Sequence, residues 1–111
     1  MTAANVIDRA REILADTVAT YRWPDSAMFR WVTDGEKEIA VRRPDALIKS
    51  DGTLTVLAVR TATSDTLGYD EQWAAGLVDY VCWRAFSTDA EHAGMGKRSL
   101  FHRAAFERAL R

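Results

Sequence analysis

Between Ala3 and Ala15 the apolar residues Val6, Ile7, Ala10, Ile13 and Leu14 recur at spacings of three and four, while Asp8, Arg9, Arg11 and Glu12 take the intervening positions. A single apolar stripe on that period predicts an amphipathic helix over about 3–15, with Thr2 placed to cap it. The run TVATYRWPD then breaks the pattern. A second helix is predicted over about 25–43, with Met28, Phe29, Trp31, Val32, Ile39 and Ala40 on its apolar face. Pro24 biases Trp23 away from helical dihedrals, so Pro24 or Asp25 opens the helix, Asp25 being a good cap. Arg42 and Arg43 suit the dipole of its last turn, and Pro44 stops it. Gly35 weakens the middle by up to about 1 kcal/mol relative to Ala. A close backbone approach would account for it, and so would simple tolerance.

Residues 45–67, DALIKSDGTLTVLAVRTATSDTL, change character: β-branched residues dominate and helix formers thin out. Asp51-Gly52 is a favourable two-residue hairpin turn. The expectation is a hairpin over about 46–59, with a short strand at 47–49 and a longer one at 53–59. Two strands alone are marginal in water, so they must lean on a helix or pair with another chain through an exposed edge.

The third predicted helix, about 70–88, is apolar around most of its circumference. Trp73, Leu77, Tyr80 and Val81 line one side, Ala74, Val78 and Ala85 an adjacent one, and Trp83 and Phe86 widen the surface further. Only Gln72, Gly76 and Asp79 form a polar stripe. A surface helix needs one apolar face, so this one must be covered on several sides. Thr88 and Glu91 have capping-box spacing, so either a new turn starts there or the helix continues to Ala93. Gly94 and Gly96 break it. A last helix follows over about 97–110, with Leu100, Phe101, Ala104, Ala105, Phe106 and Leu110 as apolar positions. The fold expected is mainly α: one domain over residues 1–111, a small four-helix bundle with a short β-hairpin between helices two and three. Helix three is its hub, through Trp73, Leu77, Tyr80, Val81 and Phe86.

Composition adds little chemistry. At 111 residues, 48% apolar and 28% charged, the chain is long enough for one core and too short for two. The single cysteine, Cys82, sits among apolar residues and reads as a small hydrophobe in a reducing compartment. His92 and His102 lack the convergent partners of a metal site, and GMGKRS lacks the spacing of a phosphate loop. Neither an enzyme nor a cofactor is expected. No apolar run approaches the length of a membrane span, and the N-terminus lacks the layout of a signal peptide. The four tryptophans exceed what a small core needs, which favours placing some at an interface.

Charge is balanced overall at −1 but segregated along the second half. From Asp65 to Glu91 the acids Asp65, Asp70, Glu71, Asp79, Asp89 and Glu91 face one base, Arg84. From Lys97 to Arg111 the bases Lys97, Arg98, Arg103, Arg108 and Arg111 face one acid, Glu107. Two adjacent antiparallel helices would explain this within one chain. Head-to-tail contact between copies would explain it between chains.

The stretch LVDYVCWRAFSTDAEHAG followed by FHRAAFERAL resembles the C-terminal half of tailed-phage head-to-tail adaptor proteins. The matching positions are Leu77 to Val81, then Arg84, Ala85, Phe86 and Ser87, then Asp89, Ala90 and Glu91. The front half is similar too, in VIDRAREILADT and in RWPDSAMFRWVTDGEKEIAVRRPDA. Many relatives carry a longer segment between Pro-Asp-Ala and the third helix than the one found here. The resemblance implies a non-catalytic adaptor in the virion neck, made in the host cytoplasm and assembled as a ring of twelve copies. Its partners would be the portal protein on one side and a tail or stopper protein on the other, with DNA passing through unread.

On this reading Arg98, Phe101, Arg103, Phe106, Arg108 and Leu110 of the last helix dock onto the portal or a neighbouring copy. Asp65, Asp70 and Glu71 supply the complementary acidic side. Two rivals stand beside it: a generic helical interaction module of the host cytoplasm, and a small DNA-binding protein using the basic last helix.

Overall fold

Thr2 opens the first helix through a reciprocal cap. Its Oγ1 accepts from the Asn5 N–H (3.3 Å), and its own N–H donates to Asn5 Oδ1 (2.7 Å). Helix α1 spans Ala3–Leu14 and buries Val6, Ile7, Ala10 and Leu14 of the expected stripe together with Ala3, while Ile13, expected on the same face, is 48% exposed. The computed structural model describes residues 1–18, 20–88 and 94–111. Among these it holds three further α-helices: α2, Asp25–Arg42; α3, Ala74–Thr88; and α4, Met95–Ala109. The mainly helical class and the four helices are as the periodicity predicts, and among the described residues no helix is long and apolar enough to cross a membrane.

The chain between α1 and α2 is held by a buried guanidinium. Arg11, expected on the polar face, is instead buried at 4% exposure. It donates to Asp16 Oδ2 (2.7 Å), to the Trp23 carbonyl (2.9 Å) and to Asp25 Oδ1 (2.7 Å). Asp16 in turn accepts from the Arg22 and Trp23 N–H groups. Asp25 therefore serves as an ion-pair partner, and Pro24 takes the cap position without a side-chain hydrogen bond.

Helix α3 is the hub. Trp73, Leu77, Tyr80, Val81 and Phe86 are all buried, and α1, α2 and α4 each pack against it. It starts at Ala74 after a 3-10 turn over Glu71–Trp73, a few residues later than the pattern suggests. Gly35 sits where α2 crosses it. A Cβ at Gly35 would lie 3.0 Å from Tyr80 Cδ1 and 3.1 Å from Leu77 Cδ2, so close approach of the two helices explains the glycine. Glu91, the far half of the Thr88 capping box, and any continuation to Ala93 lie outside the described residues. Helices α3 and α4 run antiparallel: Gly76 meets Ala109, Asp79 meets His102, and Ser87 meets Ser99.

The hairpin expected over 46–59 does not form. A 3-10 turn, Pro44–Leu47, follows α2, and no strand occurs among the described residues; of the expected hairpin there is an antiparallel bridge between Ile48 and Leu54, and a second bridge joins Thr2 to Thr66. The turn chemistry itself is present. Gly52 has φ +86°, and Asp51 Oδ1 accepts from both the Thr53 N–H and its hydroxyl. Pairing stops there because the next anchors are side chains aimed at the helical body. Thr55 is buried, donates its hydroxyl to the Gly68 carbonyl (2.8 Å), and fills the space a Gly68 side chain would need. Arg60 is also buried and holds Glu36 of α2 through both carboxylate oxygens (2.8 and 2.9 Å). The Tyr69 hydroxyl donates to the Glu36 carbonyl (2.6 Å), and burial pushes that phenol up to about 12. The segment thus leans on α2, one of the two outcomes the marginal strands allow.

Candidate interaction surfaces

Helix α4 carries two apolar stripes, and tertiary contact selects one for the core. Ser99, His102, Phe106 and Leu110 face inward. The Phe106 ring packs edge-on to Tyr80 (centroids 5.1 Å apart) and stacks near Trp83 (6.5 Å). The His102 ring stacks on Phe86 (5.6 Å) and hydrogen-bonds Asp79 Oδ1 through Nδ1 (2.9 Å). Phe106 and Leu110, expected at an interface, are core residues. At 1% and 6% exposure they have no surface to offer a partner.

The other stripe faces solvent. Leu100 and Phe101 are 62% and 63% exposed, and on the helical period they share a face with Lys97, Ala104 and Arg108. Arg98 and Arg103 sit on the two shoulders of α4. Their guanidinium carbons lie 5.9 Å from the Phe86 ring centroid and 5.4 Å from that of Trp83. Of the basic side chains expected here, Arg98, Arg103 and Arg108 are all exposed, and none has a carboxylate partner among the described residues. The adjacency of α3 and α4 is as the intramolecular explanation of the charge pattern requires. Among the described residues the charged side chains of α4 are rarely paired: Glu107 meets Arg42 of α2, and between α3 and α4 the polar contacts include the His102–Asp79 hydrogen bond.

The acidic candidates are mostly occupied locally. Asp65 accepts from the Thr61 and Ala62 N–H groups (2.8 and 3.1 Å), which hold its carboxyl below the usual range. Asp70 accepts from the Ser50 N–H (2.8 Å) and so ties the Asp51-Gly52 turn to the start of the 3-10 turn at Glu71. Glu71 is exposed. Asp89, Glu91 and His92 lie outside the described residues.

A second exposed apolar surface lies on the segment before Arg60. Ile48, Leu54, Val56 and Val59 are each more than half exposed, and Thr55 and Arg60 pin the stretch that carries Val56 and Val59. The β-branched run showed that these residues form an unusual segment. It could not show that the side chains between the pins stay outside.

Three of the four tryptophans belong to the core. Trp23, Trp31 and Trp73 are buried, and the Trp23 indole donates to Thr88 Oγ1 (3.0 Å). Trp83 is half-buried between Tyr80, Phe106 and Arg103. Cys82 is fully buried, with its Sγ 3.9 Å from the Ala10 carbonyl, and burial pushes the thiol up to about 12. At neutral pH it is therefore not a nucleophile. Aromatic disulfide reagents should modify Cys82 only as fast as the protein unfolds, which a comparison of labelling rate with denaturant concentration checks. Fast labelling of the native protein would contradict the packing. Among the described residues no three of His, Cys, Asp and Glu converge as metal ligands would.

No protein-family model matches the chain, and no curated protein or solved structure does either.

Proposed function

We propose that the protein is a structural adaptor of a tailed-phage neck. It forms a ring between the portal and the tail, passes DNA without reading it, and carries out no catalysis. The observation that carries this reading is the outer stripe of α4. Two large apolar side chains, Leu100 and Phe101, stand in water between cations that have no carboxylate partner among the described residues. An apolar centre with a charged rim is the anatomy of a protein interface.

The residues behind the adaptor resemblance support the reading in a second way. Leu77, Val78, Tyr80, Val81, Ala85 and Phe86 are all buried hub residues, so the pattern describes how this bundle packs. Arg84 of the same pattern donates to the Tyr80 hydroxyl (2.7 Å) and braces the α2 crossing.

Deleting α4 would be a poor test, because it strips Phe106 from the core. Surface substitution is cleaner. Changing Leu100 and Phe101 together to Glu should weaken co-sedimentation with the portal protein about 30-fold or more, the scale of losing interface anchors, while leaving thermal stability near wild type. Unchanged portal binding by that variant removes α4 as the docking face. Salt-sensitive DNA binding that disappears on changing Arg98 and Arg103 to Ala would favour the DNA-binding alternative instead.

A further inference from the structure

The outer stripe of α4 carries a seam whose chemistry sets what can cover it. Lys97, Phe101, Ala104 and Arg108 recur at steps of four, three and four residues, the spacing at which one helix packs lengthwise along another. All four are exposed, and Leu100 widens the apolar centre. Along the helix the seam reads cation, large apolar, small apolar, cation, over about 16 Å at 1.5 Å per residue.

Nothing among the described residues neutralises its two ends. Glu107, the only acid of α4, is turned to Arg42 of α2, and Asp79 of α3 is held by His102. Neither Lys97 nor Arg108 has a carboxylate within ion-pair reach among the described residues. Arg98 and Arg103, leaning on the Phe86 and Trp83 rings at the shoulders, add charge of the same sign. The whole face therefore asks for an anionic partner with an apolar middle.

Other occupants match only half of this pattern. The α4 of a second copy would bring the same cations against Lys97 and Arg108. A nucleic acid would offer phosphates to the cations, but Leu100 and Phe101 would then lie against a charged backbone, with no apolar surface to bury them. A lipid surface needs an apolar face running the length of the helix, and here it ends at Ala104.

We infer that the element covering α4 is an acidic helix lying along it. Its carboxylates stand opposite Lys97 and Arg108, about three turns apart. Between them a large apolar side chain packs beside Phe101, into the space that Ala104 leaves. Leu100 and Phe101 are the anchors, and the two end charges fix register and direction. This assignment rests on the adaptor reading, for which it specifies the chemistry of the portal surface that α4 meets.

The test is co-sedimentation of the full-length chain with the portal protein over a range of salt. Raising NaCl from about 50 mM to about 500 mM should weaken wild-type binding about tenfold or more, because exposed charge pairs are screened. Lys97→Glu with Arg108→Glu should weaken it about 30-fold or more at low salt, and added salt should then no longer weaken it. Ala104→Leu fills the hole in the seam and should weaken binding about tenfold at unchanged thermal stability. Circular dichroism checks that each variant is folded. If both variants bind as the wild type does and salt has no effect, the partner is not an acidic helix, while portal docking and the adaptor reading stand. If only the charge variant loses binding, the partner is acidic but does not pack along this seam, and the inference is overturned. Tighter binding of the wild type to duplex DNA or to anionic phospholipid vesicles than to the portal, lost in the charge variant, gives the face to those partners instead. If the wild-type chain does not bind the portal at all, this inference and the adaptor reading fall together.

Discussion

Replacing Glu36 by Gln should cost about 3–5 kcal/mol of folding stability, because it leaves the Arg60 guanidinium buried without its counter-charge. The pair is closed on both sides. The Arg60 side chain is 8% exposed and that of Glu36 2%. Arg60 donates through Nε and Nη2 to the two carboxylate oxygens, and its Nη1 donates to the Thr66 carbonyl (3.1 Å). The arrangement is a two-pronged one that an amide cannot reproduce, since Gln offers one acceptor and would aim its NH₂ at a donor. The carboxylate holds the guanidinium above its ordinary value, so Arg60 cannot escape by losing its proton.

A domain of this size has about 5–15 kcal/mol in total, so the loss should be plain in urea denaturation. The double replacement of Glu36 and Arg60 by Met should recover much of it, because a buried ion pair is often worth no more than apolar packing. A single variant as stable as wild type would mean that the segment carrying Arg60 is not seated on α2 as described. The consequence reaches the surface as well. Arg60 and Thr55 are the pins between which Val56, Leu57 and Val59 stand, so unpinning Arg60 should also loosen that exposed stretch.

Neither member of that pair was visible in the pattern of residues, and the reason is physical. Periodicity sorts residues by where apolar side chains want to be, and it sends every charge outward. It therefore placed Arg11 on the polar face of α1 and gave Glu36 no role, yet both are buried because partners from distant parts of the chain neutralise them. Helix positions were legible because their causes are local. A cap at Thr2, prolines at 24 and 44 and the glycine at 94 act within a turn of the residues they affect, whereas Gly96, expected to break the helix, lies in the first turn of α4. The strands were over-read for the converse reason. β-branched residues fit a pleated surface only if a neighbouring strand supplies it, and here the buried side chains of Thr55 and Arg60 draw the backbone away after one bridge. The hub of α3 was legible because a helix apolar on nearly all sides has to be surrounded. The candidate interface on α4 was legible only in part. Leu100, Phe101 and Ala104 compete with His102, Phe106 and Leu110 for the inner side, and the register is decided by α3, which sequence spacing on α4 alone does not contain.

That competition yields the sharpest separation of folding from function in the molecule. Phe101→Ala and Phe106→Ala remove the same atoms from the same helix, five residues apart in the chain. Phe106 is 1% exposed and its ring touches both Tyr80 and Trp83, so its removal opens a cavity at the centre of the α3–α4 contact. The expected cost is about 3–5 kcal/mol. Phe101 is 63% exposed and touches the His102 ring only edge-on (5.1 Å), so its removal should change stability by less than about 0.5 kcal/mol. Partner binding should show the opposite order. Phe101→Ala should weaken portal co-sedimentation at wild-type stability, whereas Phe106→Ala should lose binding only in proportion to the fraction unfolded. Denaturant titration of both variants alongside the co-sedimentation assay measures the two quantities independently. If Phe101→Ala proves the more destabilising of the two, α4 is rotated on its axis from the register described here. The exposed stripe would then be 102, 106 and 110, and the docking face would move with it.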